Sequence, residues 1–247
     1  MAIERRTILY DGPGGPFEGV AAFDTAWEGP RPGVMIVPNV LGEKEQDRVI
    51  AERLAGLGYV GFVADTYGQG KRTTRESPDP AVYMNQLNAD RVLLRDRLHA
   101  SVAALKALPE VDASRTAAIG FCFGGKSVID LARAGGVLGV VAFHGIFDAP
   151  GYDYPKPIAA KLLICHGWND PLAPPEAVTA LAAELTEAGA DWQLHCYGHA
   201  GHGFTDKSMR GSARPGFGYD ASADRRSWQA MRAFLDEVFE SPPSSRP

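Results

Sequence analysis

Apolar strand-like runs alternate with amphipathic helical segments along most of this chain, and that alternation limits its fold more than any other feature. Residues 34–37 form a short continuous apolar run, the pattern of a strand buried on both faces. Residues 45–57 follow, with Ile50, Leu54 and Leu57 on one helical face and Gly58 as a stop. Further strands are expected at 59–64, 116–119, 137–143, 161–165 and 192–197, and further helices at 81–108, 126–134, 176–188 and 222–240. In the long helix 81–108, Leu87, Leu94, Leu98 and Leu105 share a face and Pro109 ends it. This spacing predicts βαβ units and a mostly parallel, doubly wound α/β sheet with helices on both faces. Residues 7–10 and 20–23 are expected to add a small antiparallel edge. No shift of composition divides residues 1–240, so a single domain is expected there, with the Pro- and Ser-rich residues 241–247 as a flexible tail.

Charge narrows the partners. Lys and Arg number 25 against 30 Asp and Glu, a net charge of -5, which argues against general affinity for nucleic acid or anionic membranes. No stretch approaches the ~20 apolar residues of a membrane span. The first residues run directly into a strand-like segment without a signal-peptide core, so a cytoplasmic location is expected. The cysteines, Cys122, Cys165 and Cys196, are odd in number and widely spaced, which speaks against a disulfide framework or a zinc cluster. Cys165 and Cys196 sit in strand-like runs and are expected to be buried; Cys122 is different.

In a doubly wound sheet, ligands bind beyond the carboxyl ends of the strands, so the loops there matter most. One of them is Gly120-Phe-Cys122-Phe-Gly124-Gly125, between the strand ending at Ile119 and a helix. A small–x–nucleophile–x–small pattern in a strand–turn–helix context is a nucleophile elbow, here with cysteine as nucleophile. The plainer reading is a glycine-rich turn with a buried cysteine. At the helix N-terminus the dipole and free N–H groups favour a thiolate, and the Phe123 N–H is expected to form half of an oxyanion hole.

Such elbows take an acid and then a histidine from later loops. Asp170, after the strand at 161–165, is the acid expected; read alone, Asp before Pro171 is an ordinary turn residue. Of six histidines, His199 and His202 lie on the next suitable loop. His202 is preferred because Gly201 and Gly203 flank it and leave its ring room to turn. His144 and His166 follow strands at His-Gly turns, where a structural role is expected.

At these residues the chain resembles the dienelactone hydrolase family of α/β-hydrolases. The resemblance runs through Val37-Pro-Asn-Val-Leu-Gly42, Ala64-Asp-Thr-Tyr-Gly68, Ile119-Gly-Phe-Cys-Phe-Gly-Gly125, Cys165-His-Gly-Trp-Asn-Asp-Pro171, Ala200-Gly-His-Gly-Phe204 and the closing Ala223-Asp-Arg-Arg-Ser-Trp228. It implies an α/β-hydrolase fold and a cysteine-dependent hydrolase of small carboxylic esters or lactones acting through a thioester. Cys122 is then the nucleophile, His202 the base and then the acid, Asp170 its orienter, and the Val40 N–H the second oxyanion donor. No metal or organic cofactor is implied, and a monomer or homodimer is expected.

Two positions depart from the family pattern. Members often carry Glu after the first central strand, touching the thiol, where this chain has Asn39; Glu43 and Glu45 are the nearest carboxylates able to substitute. Dienelactone enzymes also carry Arg four residues after the histidine, where this chain has Asp206. A substrate anion would then fall to Lys71, Arg72 or Arg75, whose plainer reading is a solvated basic loop. Asn39, Tyr67, Lys71, Arg72, Trp168 and Phe204 are the candidates for the substrate pocket; Phe121, Phe123, Trp168 and Phe204 fit an apolar acyl or ring pocket and equally fit core packing. Three rival readings stay open: a hydrolase of another acyl electrophile such as a thioester, a non-catalytic binding or sensing member of the fold, and a redox protein using Cys122 alone.

Overall fold

The apolar runs become strands whose side chains point alternately into two cores. A computed structural model describes residues 2–240. In chain order it contains β1 (Ile3–Tyr10), β2 (Phe17–Asp24), β3 (Arg31–Val37), α1 (Glu45–Ala55), β4 (Val60–Val63), α2 (Val82–Ala89), α3 (Arg91–Lys106), β5 (Val111–Phe121) and α4 (Phe123–Ala134). There follow β6 (Gly139–Phe143), β7 (Lys161–Gly167), α5 (Pro175–Glu187), β8 (Trp192–Tyr197) and α6 (Ala221–Glu240). The eight strands form one sheet in the order β1-β2-β4-β3-β5-β6-β7-β8. β1 and β2 are antiparallel to their neighbours, and every pairing from β4 to β8 is parallel.

β3 shows how period-two alternation builds both layers. Met35 and Val37 enter the core beneath α2 to α5, while Val34 and Ile36 enter the core beneath α1 and α6. All four are fully buried, each contributing about 1.5–3 kcal/mol of hydrophobic stabilisation. The chain steps from β3 outward to β4, then crosses back to β5 on the other side of β3. That reversal makes the carboxyl ends of β3 and β5 a topological switch point, where such sheets open a crevice for ligands.

Two expectations change. The long helix at 81–108 is two helices, because Asp90 leaves helical geometry and its side chain accepts the Leu93 N–H at 2.9 Å as the N-cap of α3. The leucine periodicity continues across the break, with Leu87 on α2 and Leu94, Leu98 and Leu105 on α3 all buried in one core. Cys196 is exposed rather than buried, since β8 is an edge strand with an open face. The expected tail, 241–247, lies outside the described residues. Among the described residues no helix is long and apolar enough to cross a membrane.

Candidate active site

The site is assembled at the switch point by four loops. Cys122 is the residue between β5 and α4, with φ 57° and ψ -113°, a conformation that L side chains rarely adopt. The flanking glycines make the turn possible. A Cβ on Gly120 would lie 2.0 Å from the Gly124 carbonyl oxygen, and a Cβ on Gly124 would lie 2.0 Å from that of Val37 at the end of β3. The elbow and the turn after β3 are therefore in backbone contact. Cys122 is partly exposed and begins α4, so its sulfur stands at a helix N-terminus.

Asp170 is 2% exposed, on the turn after β7. Its Oδ1 accepts the Leu172 N–H at 2.8 Å, and its Oδ2 lies 2.7 Å from His202 Nδ1. With Nδ1 committed to Asp170, Nε2 is the ring nitrogen left to serve Cys122. Burial alone would pull the His202 pKa down; the hydrogen bond to Asp170, followed by that to Cys122, outweighs it and raises the group to about 10. The backbone of His202 is held as firmly, its N–H donating to Gly216 O at 2.7 Å and its carbonyl accepting the Gly218 N–H at 3.0 Å. The adjacent glycines serve this backbone rather than the ring. A Cβ on Gly201 would come within 2.2 Å of Gly216 O, and Gly203 has φ 74°. His199 is exposed and stands apart from the Asp170 contact.

The turn after β3 carries Val40. Neither the Val40 nor the Phe123 N–H has an acceptor among the described residues, so both donors remain available beside Cys122. Asn39 folds its side chain into the turn, Oδ1 accepting the Leu41 N–H at 3.1 Å. Glu43 and Glu45 do not replace a carboxylate at the thiol: Glu43 is held by Arg48 and Arg72, and Glu45 by Arg5. Arg72 is consumed in the same way, its Nη1 3.2 Å from Asp65 Oδ1 and its Nε 3.4 Å from Glu43 Oε2, so it braces this loop instead of facing a substrate. Lys71 is exposed. Trp168 is 45% exposed, whereas Phe204 is fully buried in the core with Tyr197 and His144 and is closed to a ligand. Tyr67 is buried, stacked near Phe123 at 6.1 Å.

His144 is the residue whose place the sequence did not reveal. It has φ 38°, is buried, packs edge-on to His202 at 5.3 Å between ring centroids, and hydrogen-bonds Thr205 Oγ1 at 2.8 Å through Nε2. Burial, reinforced by the His202 charge, holds its pKa well below the usual histidine range, so it stays neutral beside a cationic neighbour. Its position at the carboxyl end of β6 was the only signal available. A cavity of about 230 Å³ lined by Arg95, His99, Tyr152 and Tyr154 shares no residue with the site.

The dienelactone hydrolase family matches residues 17–239, nearly the whole chain. The chain belongs to the dienelactone hydrolase family. The solved protein m3DLH is 37% identical, with a TM-score of 0.90 over 97% of this chain and 100% of its own. A dienelactone hydrolase-like promiscuous phosphotriesterase from metagenomic libraries is 36% identical at the same TM-score and coverage. A Synechocystis protein provisionally named a carboxymethylenebutenolidase is 27% identical over 217 residues, covering 83% of this chain and 85% of its own length. The architecture is accordingly the α/β-hydrolase fold of this dienelactone hydrolase family.

Proposed function

We propose that this dienelactone hydrolase family member hydrolyses small carboxylic esters or lactones through a thioester on Cys122. The observation that carries the reading is buried Asp170 bonded to His202 at 2.7 Å, with Cys122 near enough to raise His202 further, next to two available N–H groups. The raised pKa of His202 suits it to take the thiol proton as sulfur attacks. Sulfur attacks the carbonyl carbon, the C–S bond forms, and the Val40 and Phe123 N–H groups receive the oxyanion. Collapse expels the alkoxide, which takes its proton from His202. Acylation removes the thiolate, one of the two partners that raise His202, so the imidazole returns toward a base. It then takes a proton from water, hydroxide adds to the thioester carbon, and the C–S bond breaks to release acid and restore the pair.

The test is a panel of p-nitrophenyl esters and simple lactones with wild type and Cys122→Ala side by side. The expected loss in kcat is at least ~10³, because only oxyanion and binding effects remain. Iodoacetamide should inactivate the wild type in step with labelling of Cys122, followed at its own peptide because the exposed Cys196 also reacts. Full activity in the alanine variant would defeat the proposal, and absence of turnover on every substrate would favour a binding member of the fold. Phosphotriesters belong in the panel, because one relative with 36% identity is described as a promiscuous phosphotriesterase and two N–H donors also suit a phosphoryl oxygen.

A further inference from the structure

The turn after β3 is held by side chains on both of its flanks. In the Asn39–Val40 peptide the carbonyl accepts the Gly42 N–H at 3.1 Å. A trans peptide directs its N–H opposite to its carbonyl, so this bond turns the Val40 N–H out of the turn. In the next peptide both groups are anchored: the Leu41 N–H donates to Asn39 Oδ1 at 3.1 Å, and the Val40 carbonyl accepts the Tyr67 hydroxyl at 3.1 Å. Three bonds thus fix the Asn39 and Val40 carbonyls and the Leu41 and Gly42 N–H groups, while the Val40 N–H has no acceptor among the described residues.

Tyr67 is well placed to act as a fixed post. It is 2% exposed, its N–H donates to Asp65 Oδ1 at 3.0 Å, and its carbonyl accepts Arg97 Nη1 at 3.2 Å. Its ring packs 5.5 Å from Tyr83 and stacks 6.1 Å from Phe123, the residue bearing the other available N–H. One side chain therefore bonds the Val40 carbonyl and packs on the ring of Phe123. Burial, followed by the charge of Cys122, raises the Tyr67 hydroxyl, which keeps the proton it must donate.

We propose that Tyr67 and Asn39 are positioning residues that clamp the Val40–Leu41 peptide from opposite sides and so aim the Val40 N–H at the developing oxyanion. This rests on the ester-hydrolase reading above. It also gives Asn39 a task that a longer carboxylate side chain does not perform, since the short Asx turn requires an acceptor no more than three bonds from Cα. Preorganised donors act without reorganisation at the moment of reaction, so loosening the turn should cost rate rather than affinity.

The experiment compares wild type, Tyr67→Phe, Asn39→Ala and Asn39→Ser in two reactions of the same thiol. One is turnover of p-nitrophenyl acetate, which passes through an oxyanion; the other is alkylation of Cys122 by iodoacetamide, which does not and is followed at the Cys122 peptide because Cys196 is also exposed. Loss of a whole oxyanion donor costs about 10²–10³ in kcat, so misaiming one should cost about 10-fold. Tyr67→Phe and Asn39→Ala are expected to lower kcat by that factor, keep KM within about 2-fold, and leave the alkylation rate unchanged. Asn39→Ser, which still accepts the Leu41 N–H, should recover most of the loss. The double variant should lose less than the product of the single losses, because both side chains hold one peptide. Wild-type kcat in Tyr67→Phe and Asn39→Ala would overturn the clamp, and a parallel fall in alkylation would transfer the effect to the thiol and overturn it equally. The Asn39 pair tests the same peptide from its other side if Tyr67→Phe fails to fold. Full turnover in Cys122→Ala is a separate result that defeats the thioester reading, whatever the Tyr67 variant does.

Discussion

Arg75 Nη2 lies 2.9 Å from Asp206 Oδ2, joining the loop after β4 to the loop after β8. Those strands stand on opposite sides of β5, so the pair links two loops that flank Cys122. Arg75 also reaches Ser208 Oγ at 3.2 Å. Of the three cations expected to hold a substrate anion, Arg72 and Arg75 are paired within the protein, and Lys71 alone has no side-chain partner among the described residues. Asp206→Asn should release the Arg75 charge and raise kcat/KM for an anionic hemiester over its neutral counterpart. An exposed pair of this kind is worth up to ~1 kcal/mol, so the ratio should move by about 5-fold at low salt. Arg75→Ala should move it the other way. An unchanged ratio in both variants would put the pair out of reach of the acyl group.

The raised pKa of His202 sets a pH dependence with a definite sign. Its folded value, about 10, stands above the unfolded ~6.5, so the stabilisation is complete below ~6.5 and is lost as pH rises through the folded value. Activity should follow, because the leaving alkoxide needs the imidazolium proton. Asp170→Asn removes a charge and a hydrogen bond that raise this group, so the alkaline limb of kcat/KM should move to lower pH, with kcat falling far more than KM changes. A pH–rate profile of both proteins reads this directly; coincident alkaline limbs would assign the proton to another group.

The close approach of the elbow to β3 predicts a steep cost at one glycine and none at another. A Cβ on Gly124 would sit 2.0 Å from Val37 O, a backbone atom in the central strand that cannot move aside. Gly124→Ala should lose about 3 kcal/mol or more in urea unfolding, at or beyond the upper end for overpacking. Gly198→Ala, with nothing within 4 Å of its Cβ, should stay within about 0.5 kcal/mol of wild type.

Asp130 on α4 is fully buried between Arg91 on α3 and Arg133 on its own helix, at 2.8 Å and 2.9 Å. Asp130→Ala would leave two buried guanidinium groups facing each other. Removal of one partner from a buried pair costs about 3–5 kcal/mol. Arg91 retains Asp148 and Arg133 retains Glu184, which argues for the lower end, about 3 kcal/mol. Urea unfolding of this variant within ~1 kcal/mol of wild type would show that those carboxylates suffice.

What the sequence revealed depended on whether the deciding forces were local. The glycines around Cys122 mark a turn whose geometry is set within six residues, and chain order then drew attention to Asp170 and His202. Local strand patterns also foretold the sheet, including the antiparallel edge of β1 and β2. The break at Asp90 is hidden in the sequence because the leucines continue in phase on both sides and one capping side chain decides it. Arg72, Phe204 and Cys196 depended on what faces them across space: two carboxylates, a filled core and an open sheet edge. The His-Gly turn after β6 points to a structural task for His144, but its packing against His202 arises from the long return of the 198–220 loop.

The backbone of Cys122, at φ 57° and ψ -113°, lies where glycine is at ease and a side chain costs about 1–3 kcal/mol. Foldedness and chemistry therefore pull this position in opposite directions. Cys122→Gly should melt at a higher temperature than the wild type while turning over nothing, so a selection for thermostability alone would remove the sulfur first. Any programme that hardens this protein must hold one residue back from improvement.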